Sequence, residues 1–158
     1  MTSTNTPPMT IRAAHTGDIE TLAGFNAAMA LETENKHLDI ALVEQGVSNL
    51  IAHPDRGFYR LACVDDEIAG SLMITYEWSD WRNANLWWFQ SVYVRPEYRR
   101  RGLFSALYRR VETEARAAGA CGLRLYAENA NHRAHQTYEA LGMQGGHYGV
   151  FEAMFDGS

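Results

Sequence analysis

The sequence predicts an α/β domain with a mixed, mostly antiparallel central sheet flanked by helices, its elements in the order β-α-α-β-β-β-α-β-α-β. Three observations carry that expectation. Aromatic and β-branched runs bounded by turn residues recur at Phe58–Val64, Ile68–Trp78 and Leu86–Val94. Amphipathic repeats of helical spacing lie before the first of these runs and after the last. Leu86–Val94 then passes through Pro96 and a short turn into a helix whose entrance is crowded with arginine.

Taken in order, residues 1–8 are polar and carry two prolines, which reads as a disordered tail, and one domain fills 9–158. Met9–His15 alternates as a strand. Thr16 or Asp18 stands where a helix cap belongs, ahead of Ile19, Leu22, Ala23 and Met29 on one helical face. Leu31–Asp39 is polar and acidic and reads as a loop. A second amphipathic helix runs from about Ile40 to Ala52, with Pro54 behind it. Phe58–Val64 and Ile68–Trp78 form a hairpin across Asp65-Asp66-Glu67, and Leu86–Val94 is the central strand. The long helix follows, with Leu103, Ala106, Leu107, Val111 and Ala115 at helical spacing, and Gly119 lies beyond it. A strand at Leu123–Ala127 leads to a short helix with Asn131 as N-cap, Ala134, Tyr138 and Leu141 on one face and Gly142 as terminator. A last strand is expected near Gly149–Phe155.

Composition narrows the function. With 158 residues and 46% hydrophobic content the chain suits a single core, and a net charge of −5 disfavours a general nucleic-acid or anionic-membrane binder. Of its 14 basic residues, Arg95, Arg99, Arg100, Arg101, Arg109 and Arg110 fall within one short stretch, which fits a local anion site. The N-terminal residues have neither a charged n-region nor an apolar h-region, and no apolar run is long enough to span a bilayer, so a cytoplasmic location is expected. Cys63 and Cys121 both read as buried core thiols, and no CxxC or HExxH spacing supports a metal site.

Gly102 stands at the helix entrance behind Arg99, Arg100 and Arg101. The first amides of a helix lack internal partners and carry the positive end of its dipole, and arginine forks grip phosphate, so this is the layout of a pyrophosphate site. Taken alone, such a run is more often a solvated face. A second block shifts the balance. Val94-x-Pro96-x-x-Arg99-Arg100-x-Gly102, followed by Asn131-x-x-Ala134-x-x-x-Tyr138-Glu139-x-x-Gly142-Met143, resembles the GNAT superfamily of acetyl-CoA-dependent N-acyltransferases from about Met9 to Phe155. The resemblance implies a GNAT-like domain. It puts acetyl-CoA, with CoA as product, in a splay between the Leu86–Val94 and Leu123–Ala127 strands. The pantetheine arm would lie along the backbone of Val92, Tyr93 and Val94, and the pyrophosphate against Arg99, Arg100, Arg101, Gly102, Leu103, Phe104 and Ser105. One position departs from the family's loop: Phe104 replaces a small residue, and its amide can face phosphate only if the ring points away.

Acetyl transfer to an amine needs a neutral amine, donors for the developing oxyanion and a proton for the leaving thiolate. Tyr138 stands at the family's general-acid tyrosine and also binds the cofactor. A core tyrosine with a satisfied hydroxyl is the bland alternative. A backbone amide near Tyr93 or Val94 is the expected oxyanion donor. Asn131 resembles the family's pantetheine-binding asparagine, a role compatible with capping. Many family members carry a glutamate at or near position 90, where this chain has Gln90, which cannot take a proton. The base is therefore water or another carboxylate: Glu77 or Asp80 at the neighbouring strand's end, or Glu34 in the loop between the first two helices. Residues 76–88 hold all four tryptophans beside two carboxylates, which suits a cationic acceptor met by Glu34, Asp80, Trp81 and Gln90. Trp87 and Trp88 serve equally well as core.

The leading reading is direct transfer of acetyl from acetyl-CoA to a primary amine of a small cationic molecule, without nucleic-acid or membrane partners. A non-catalytic acyl-CoA-binding regulatory module, and a protein or peptide N-acetyltransferase, are the alternatives. An acyltransferase toxin acting on aminoacyl-tRNA would want a broad basic face. The acceptor, the base, the oligomeric state, for which a homodimer resembling other family members is the natural guess, and the longest acyl group accepted stay open at this level.

Overall fold

A computed structural model describes residues 8–157, so the expected tail over 1–8 lies, up to residue 7, outside the described residues. The chain forms two compact units, one ending at Tyr126 and the other beginning at Ala127.

The first unit runs β1 (Met9–Ala13), a 3-10 turn (Thr16–Asp18), α1 (Ile19–Glu34), α2 (Ile40–Ala52), β2 (Gly57–Val64), β3 (Glu67–Ser79), β4 (Ala84–Val94), a second 3-10 turn (Pro96–Tyr98), α3 (Leu103–Ala117) and β5 (Gly122–Leu125). The strands lie in the order β1-β2-β3-β4-β5. Every pair is antiparallel except β4 with β5, which is parallel, so the sheet is mixed and mostly antiparallel as expected.

Alternation assigns its two faces. Tyr59 and Leu61 of β2 pack with Leu22 of α1 and with Val47 and Leu50 of α2, and Met73 of β3 joins them. The other face belongs to α3. There Phe89 stacks on Tyr108 with centroids 5.3 Å apart, Phe58 and Tyr76 flank Trp87, and Arg60 pairs with Glu114 at 3.1 Å. Sequence period thus becomes layer assignment, with α1 and α2 on one side of the sheet and α3 on the other.

Several boundaries differ from expectation. α1 continues through Leu31–Glu34, so the connecting loop is only residues 35–39; Asn35, left-handed at φ 51°, ends the helix. Asp18 occupies the N-cap position of α1 without capping it. Its buried carboxylate instead accepts two bonds from Arg12, at 2.8 and 2.9 Å, and one from His15 N. Cys63 is buried, but Cys121 is exposed at the threshold of β5, where its thiol donates to Asn85 O.

In the second unit, α4 (His132–Ala140) is capped by Asn131 Oδ1, which accepts from Ala134 N at 3.1 Å. Gly142 closes it in a Schellman pattern, with Gly142 N donating to Glu139 O and Met143 N to Tyr138 O. The strand expected near Gly149–Phe155 does not form: residues 149–154 carry no regular structure, and Phe151 and Phe155 are fully exposed. A strand exists only through a paired neighbour, and among the described residues 149–154 belong to no ladder.

Candidate active site

The strand β4 changes character at Gln90. Up to Phe89 it is paired on both sides, with β3 and, from Leu86 opposite Gly122 to Phe89 opposite Leu125, with β5. The parallel ladder stops there, so among the described residues Gln90–Val94 pairs with β3 alone. On that side the register slips: Gln90 opposes Met73 and Tyr93 opposes Ser71, three steps on β4 for two on β3. This is a bulge, and Ser91 absorbs it in the left-handed region at φ 50°. Its consequence is a change of parity, which returns Tyr93 to the α1 face against Phe25, with centroids 5.0 Å apart. Gly70 permits the bulge, because a Cβ there would sit 2.8 Å from Tyr93 O.

Beyond Val94 the chain reaches the arginine loop. Arg100 (φ 63°) and Gly102 (φ 79°) are left-handed, and no side chain caps α3. A Cβ at Gly102 would meet nothing within 4 Å, so the approach to the first amides of α3 is open. The Phe104 ring turns to Phe89 and Tyr108 at 6.3 Å, which meets the condition that its bulk point away from the helix entrance. Leu103 is buried and Ser105 half-buried. Arg101 lies over the Tyr98 ring. Arg99 is tied down: Nη2 donates to Glu32 Oε2 at 2.7 Å, Nε donates to Val94 O at 2.9 Å, and Tyr93 OH donates to Glu32 Oε1 at 3.3 Å. Burial, and then Glu32, pushes the Tyr93 phenol above its ordinary pKa. Glu32, expected in an acidic acceptor loop, thus anchors the arginine loop.

A third group sits on the α1 side of the sheet, where Thr75, Glu77, Trp88, Gln90 and Arg124 share one face by register. Gln90 donates to Thr75 Oγ1. Glu77 accepts from Trp88 Nε1 at 2.7 Å and from Arg124 Nη1 at 3.1 Å, and Trp88 packs on Tyr126 with centroids 4.5 Å apart. The Trp88 N–H foremost, and Arg124 with it, holds the Glu77 carboxyl below the usual range. Asp80 and Trp81 occupy the exposed β3–β4 turn, and Glu34 is exposed as the last residue of α1. Of the carboxylates singled out by sequence, only Glu77 therefore joins this group. Sequence reasoning missed Thr75, Arg124 and Tyr126. The signal was present, since Thr75 and Glu77, and Trp88 and Gln90, alternate with period two, and Arg124 interrupts an apolar strand.

In the second unit, burial raises the Tyr138 phenol above its ordinary pKa, so it holds its proton through neutral pH. Among the described residues no cluster of three His, Cys, Asp or Glu side chains could hold a metal ion, and no helix is long and apolar enough to cross a membrane.

The bulged β4 loses its parallel neighbour beside an uncapped, arginine-flanked helix, and the model of the Acetyltransferase (GNAT) family matches residues 22–143. The chain belongs to the GNAT acetyltransferase family. It is an acyltransferase domain. A structure from Clostridium difficile 630, described as a possible acetyltransferase, is 41% identical, with a TM-score of 0.85 over 92% of this chain and 97% of that one. A Clostridium acetobutylicum structure, described as a predicted acetyltransferase with acetyl-CoA, shares the fold at a TM-score of 0.77 and 15% identity, over 94% and 98%. A bovine (Bos taurus) protein, thialysine N-epsilon-acetyltransferase, is 34% identical over 77 residues, 49% of this GNAT chain and 45% of its own length. The match thus spans less than half of that relative.

Proposed function

We propose that this GNAT domain transfers an acetyl group from acetyl-CoA directly to a primary amine of a small cationic molecule. The observation that carries the reading is the parting of β4 from β5 beyond Phe89, next to an uncapped α3 entrance. The residues present fit the cofactor. Gly102 leaves the helix amides accessible, Phe104 turns its ring to the core, and Gln90–Val94 has no β5 partner.

Bound acetyl-CoA supplies a thioester whose acyl carbon an amine can attack. The chain's own groups take the remaining tasks. Arg99, Arg100 and Arg101 with the amides of Gly102, Leu103, Phe104 and Ser105 hold the pyrophosphate, with Arg99 exchanging its Glu32 partner for phosphate oxygen. Backbone of Val92–Val94 and the Asn131 side chain hold the pantetheine. An N–H near Tyr93 or Val94 donates to the acyl oxygen as charge develops. Tyr138 donates its phenolic proton to the leaving sulfur, and its raised pKa keeps that proton available.

At the acceptor end, Glu77 is better suited to hold a charge than to relay a proton, because a carboxyl stabilised as the anion is a weak base. Gln90 adds polarity, and Trp88 and Trp81 offer ring faces to a cation, with Glu34 and Asp80 as outlying charges. The amine then loses its proton to water. The bovine relative, named for an N-epsilon acceptor, agrees with an alkyl amine as nucleophile. The test is CoA release from acetyl-CoA across an amine panel. Turnover with polyamines and lysine-like amines is expected, and turnover confined to neutral or acidic acceptors would overturn the cationic assignment.

A further inference from the structure

Pairing with β3 decides which backbone groups at the end of β4 face away from it. Arg95 N donates to Ala69 O at 2.8 Å, so Arg95 and Ala69 form a hydrogen-bonded pair, and Val94 opposite Gly70, one step back, does not. The Val94 N–H and C=O therefore turn away from β3. Tyr93, opposite Ser71, does the reverse, and its carbonyl lies beside Gly70. Of the last two residues of β4, Val94 is thus the one that offers backbone groups on the side where the β5 ladder has stopped.

The Val94 carbonyl is already taken. The 3-10 turn Pro96–Tyr98 folds the chain back, and Arg99 Nε donates to Val94 O at 2.9 Å. The same guanidinium is held at its other end, where Nη2 donates to Glu32 Oε2 at 2.7 Å, and its Cζ lies 5.6 Å from the Tyr93 ring centroid. Glu32 is itself held by the Tyr93 hydroxyl. Arg99 therefore lies back along β4, its planar fork shared between a backbone oxygen and a carboxylate. Arg101 takes a different course, over the Tyr98 ring.

We propose that Arg99 is a placeholder that makes the site selective for acyl carriers bearing a pyrophosphate, filling the Val94 position of the pantetheine track until phosphate draws its guanidinium away. The inference rests on the cofactor reading given under the proposed function. A phosphate accepts a bidentate arginine fork, so it offers Arg99 a better partner than the single Glu32 oxygen it now holds. The move uncovers Val94 O for an amide N–H of the pantetheine arm. A pantetheine thioester without phosphates must break the bond from Arg99 to Val94 and supplies nothing in exchange, which weakens its binding. Selectivity combines attraction to the right ligand with a cost imposed on the wrong one, and Arg99 supplies both. Binding energy from the remote phosphates is thereby used to open the track along which the thioester is laid.

A placeholder makes two ligands respond to one substitution with opposite signs. Affinities of acetyl-CoA and of acetyl-pantetheine, which lacks the nucleotide and its phosphates, are measured by calorimetry, the weaker ligand in competition with CoA. Arg99→Ala is expected to weaken acetyl-CoA by about tenfold and to tighten acetyl-pantetheine by about threefold or more. Arg101→Ala removes an equal charge without touching β4, so it should weaken acetyl-CoA and leave acetyl-pantetheine unchanged. Glu32→Gln loosens Arg99 without removing it and should tighten both ligands. Acetyl-pantetheine that binds Arg99→Ala no better than wild type, an equal gain in Arg101→Ala, or weaker binding of both ligands to Glu32→Gln would overturn the placeholder and leave the acyl donor standing. Failure of acetyl-CoA to bind the wild type would remove the proposed function and the placeholder together. Turnover enters none of these readouts.

Discussion

The two halves of β4 share a strand and little else. Ala84–Phe89 is paired with β3 throughout and with β5 from Leu86 on, and two of its aromatics, Trp87 and Phe89, are buried against the α3 side. Gln90–Val94 keeps one neighbour, is bulged at Ser91, and runs out into the arginine loop. The first half is spent on stability. The second gives up a ladder and a regular backbone, which on the proposed function leaves its backbone groups open to a ligand. On that reading the interrupted pairing serves binding, and it is stabilised by a regular stretch immediately upstream and by Gly70 across the bulge.

Substitutions should separate the halves. The largest effect on folding is expected at Phe89→Ala, which empties a buried site stacked on Tyr108. A loss of about 3–5 kcal/mol in denaturant unfolding, with kcat of the folded fraction little changed, is expected. An equal loss of kcat in that fraction would erase the distinction. Tyr138→Phe should do the reverse, lowering kcat by roughly tenfold to a thousandfold while stability and acetyl-CoA affinity barely move. Because the phenol is raised by burial, it stays protonated below its folded pKa; any alkaline fall in kcat due to its ionisation should begin above the ordinary tyrosine value of about 10. A falling limb near neutrality would deny it the role of acid.

Gly102→Val combines a left-handed backbone unsuited to a β-branched residue with a side chain over the α3 amides. Acetyl-CoA affinity should fall by roughly tenfold or more in calorimetry. Unaltered affinity would remove the phosphate from that loop. The smallest effect is expected at Glu77→Gln, which should raise the acceptor KM several-fold at nearly constant kcat. Because the carboxyl is lowered by Trp88 and Arg124, its contribution in the wild type should persist down to the acid side of the ordinary carboxylate range. A fall in kcat with a flattened pH profile would make Glu77 a proton relay instead.

What the sequence disclosed follows the range of the forces involved. α2 matches its expected span of Ile40–Ala52, because its amphipathic spacing and Pro54 behind it are local signals. The β2–β3 hairpin came from Asp65 and Asp66, both left-handed in the structure. The bulge at Ser91 was not legible, since it depends on Gly70 across the sheet and no residue in β4 marks it. Nor was the Glu32–Arg99 pair, whose members are 67 residues apart. The strand expected near Gly149–Phe155 does not form, because an apolar run shows that a segment can pair and says nothing about which edge receives it. The Cys121 expectation failed because a residue one step outside a strand follows the loop's exposure.

Amide hydrogen exchange with and without acetyl-CoA bears most directly on the division of β4. The account predicts that Leu86–Phe89, already paired on both edges, exchanges slowly and equally in both conditions, while Gln90–Val94 and Leu103–Ser105 become markedly slower when acetyl-CoA is added. Unchanged exchange in those two segments at a saturating concentration would contradict it.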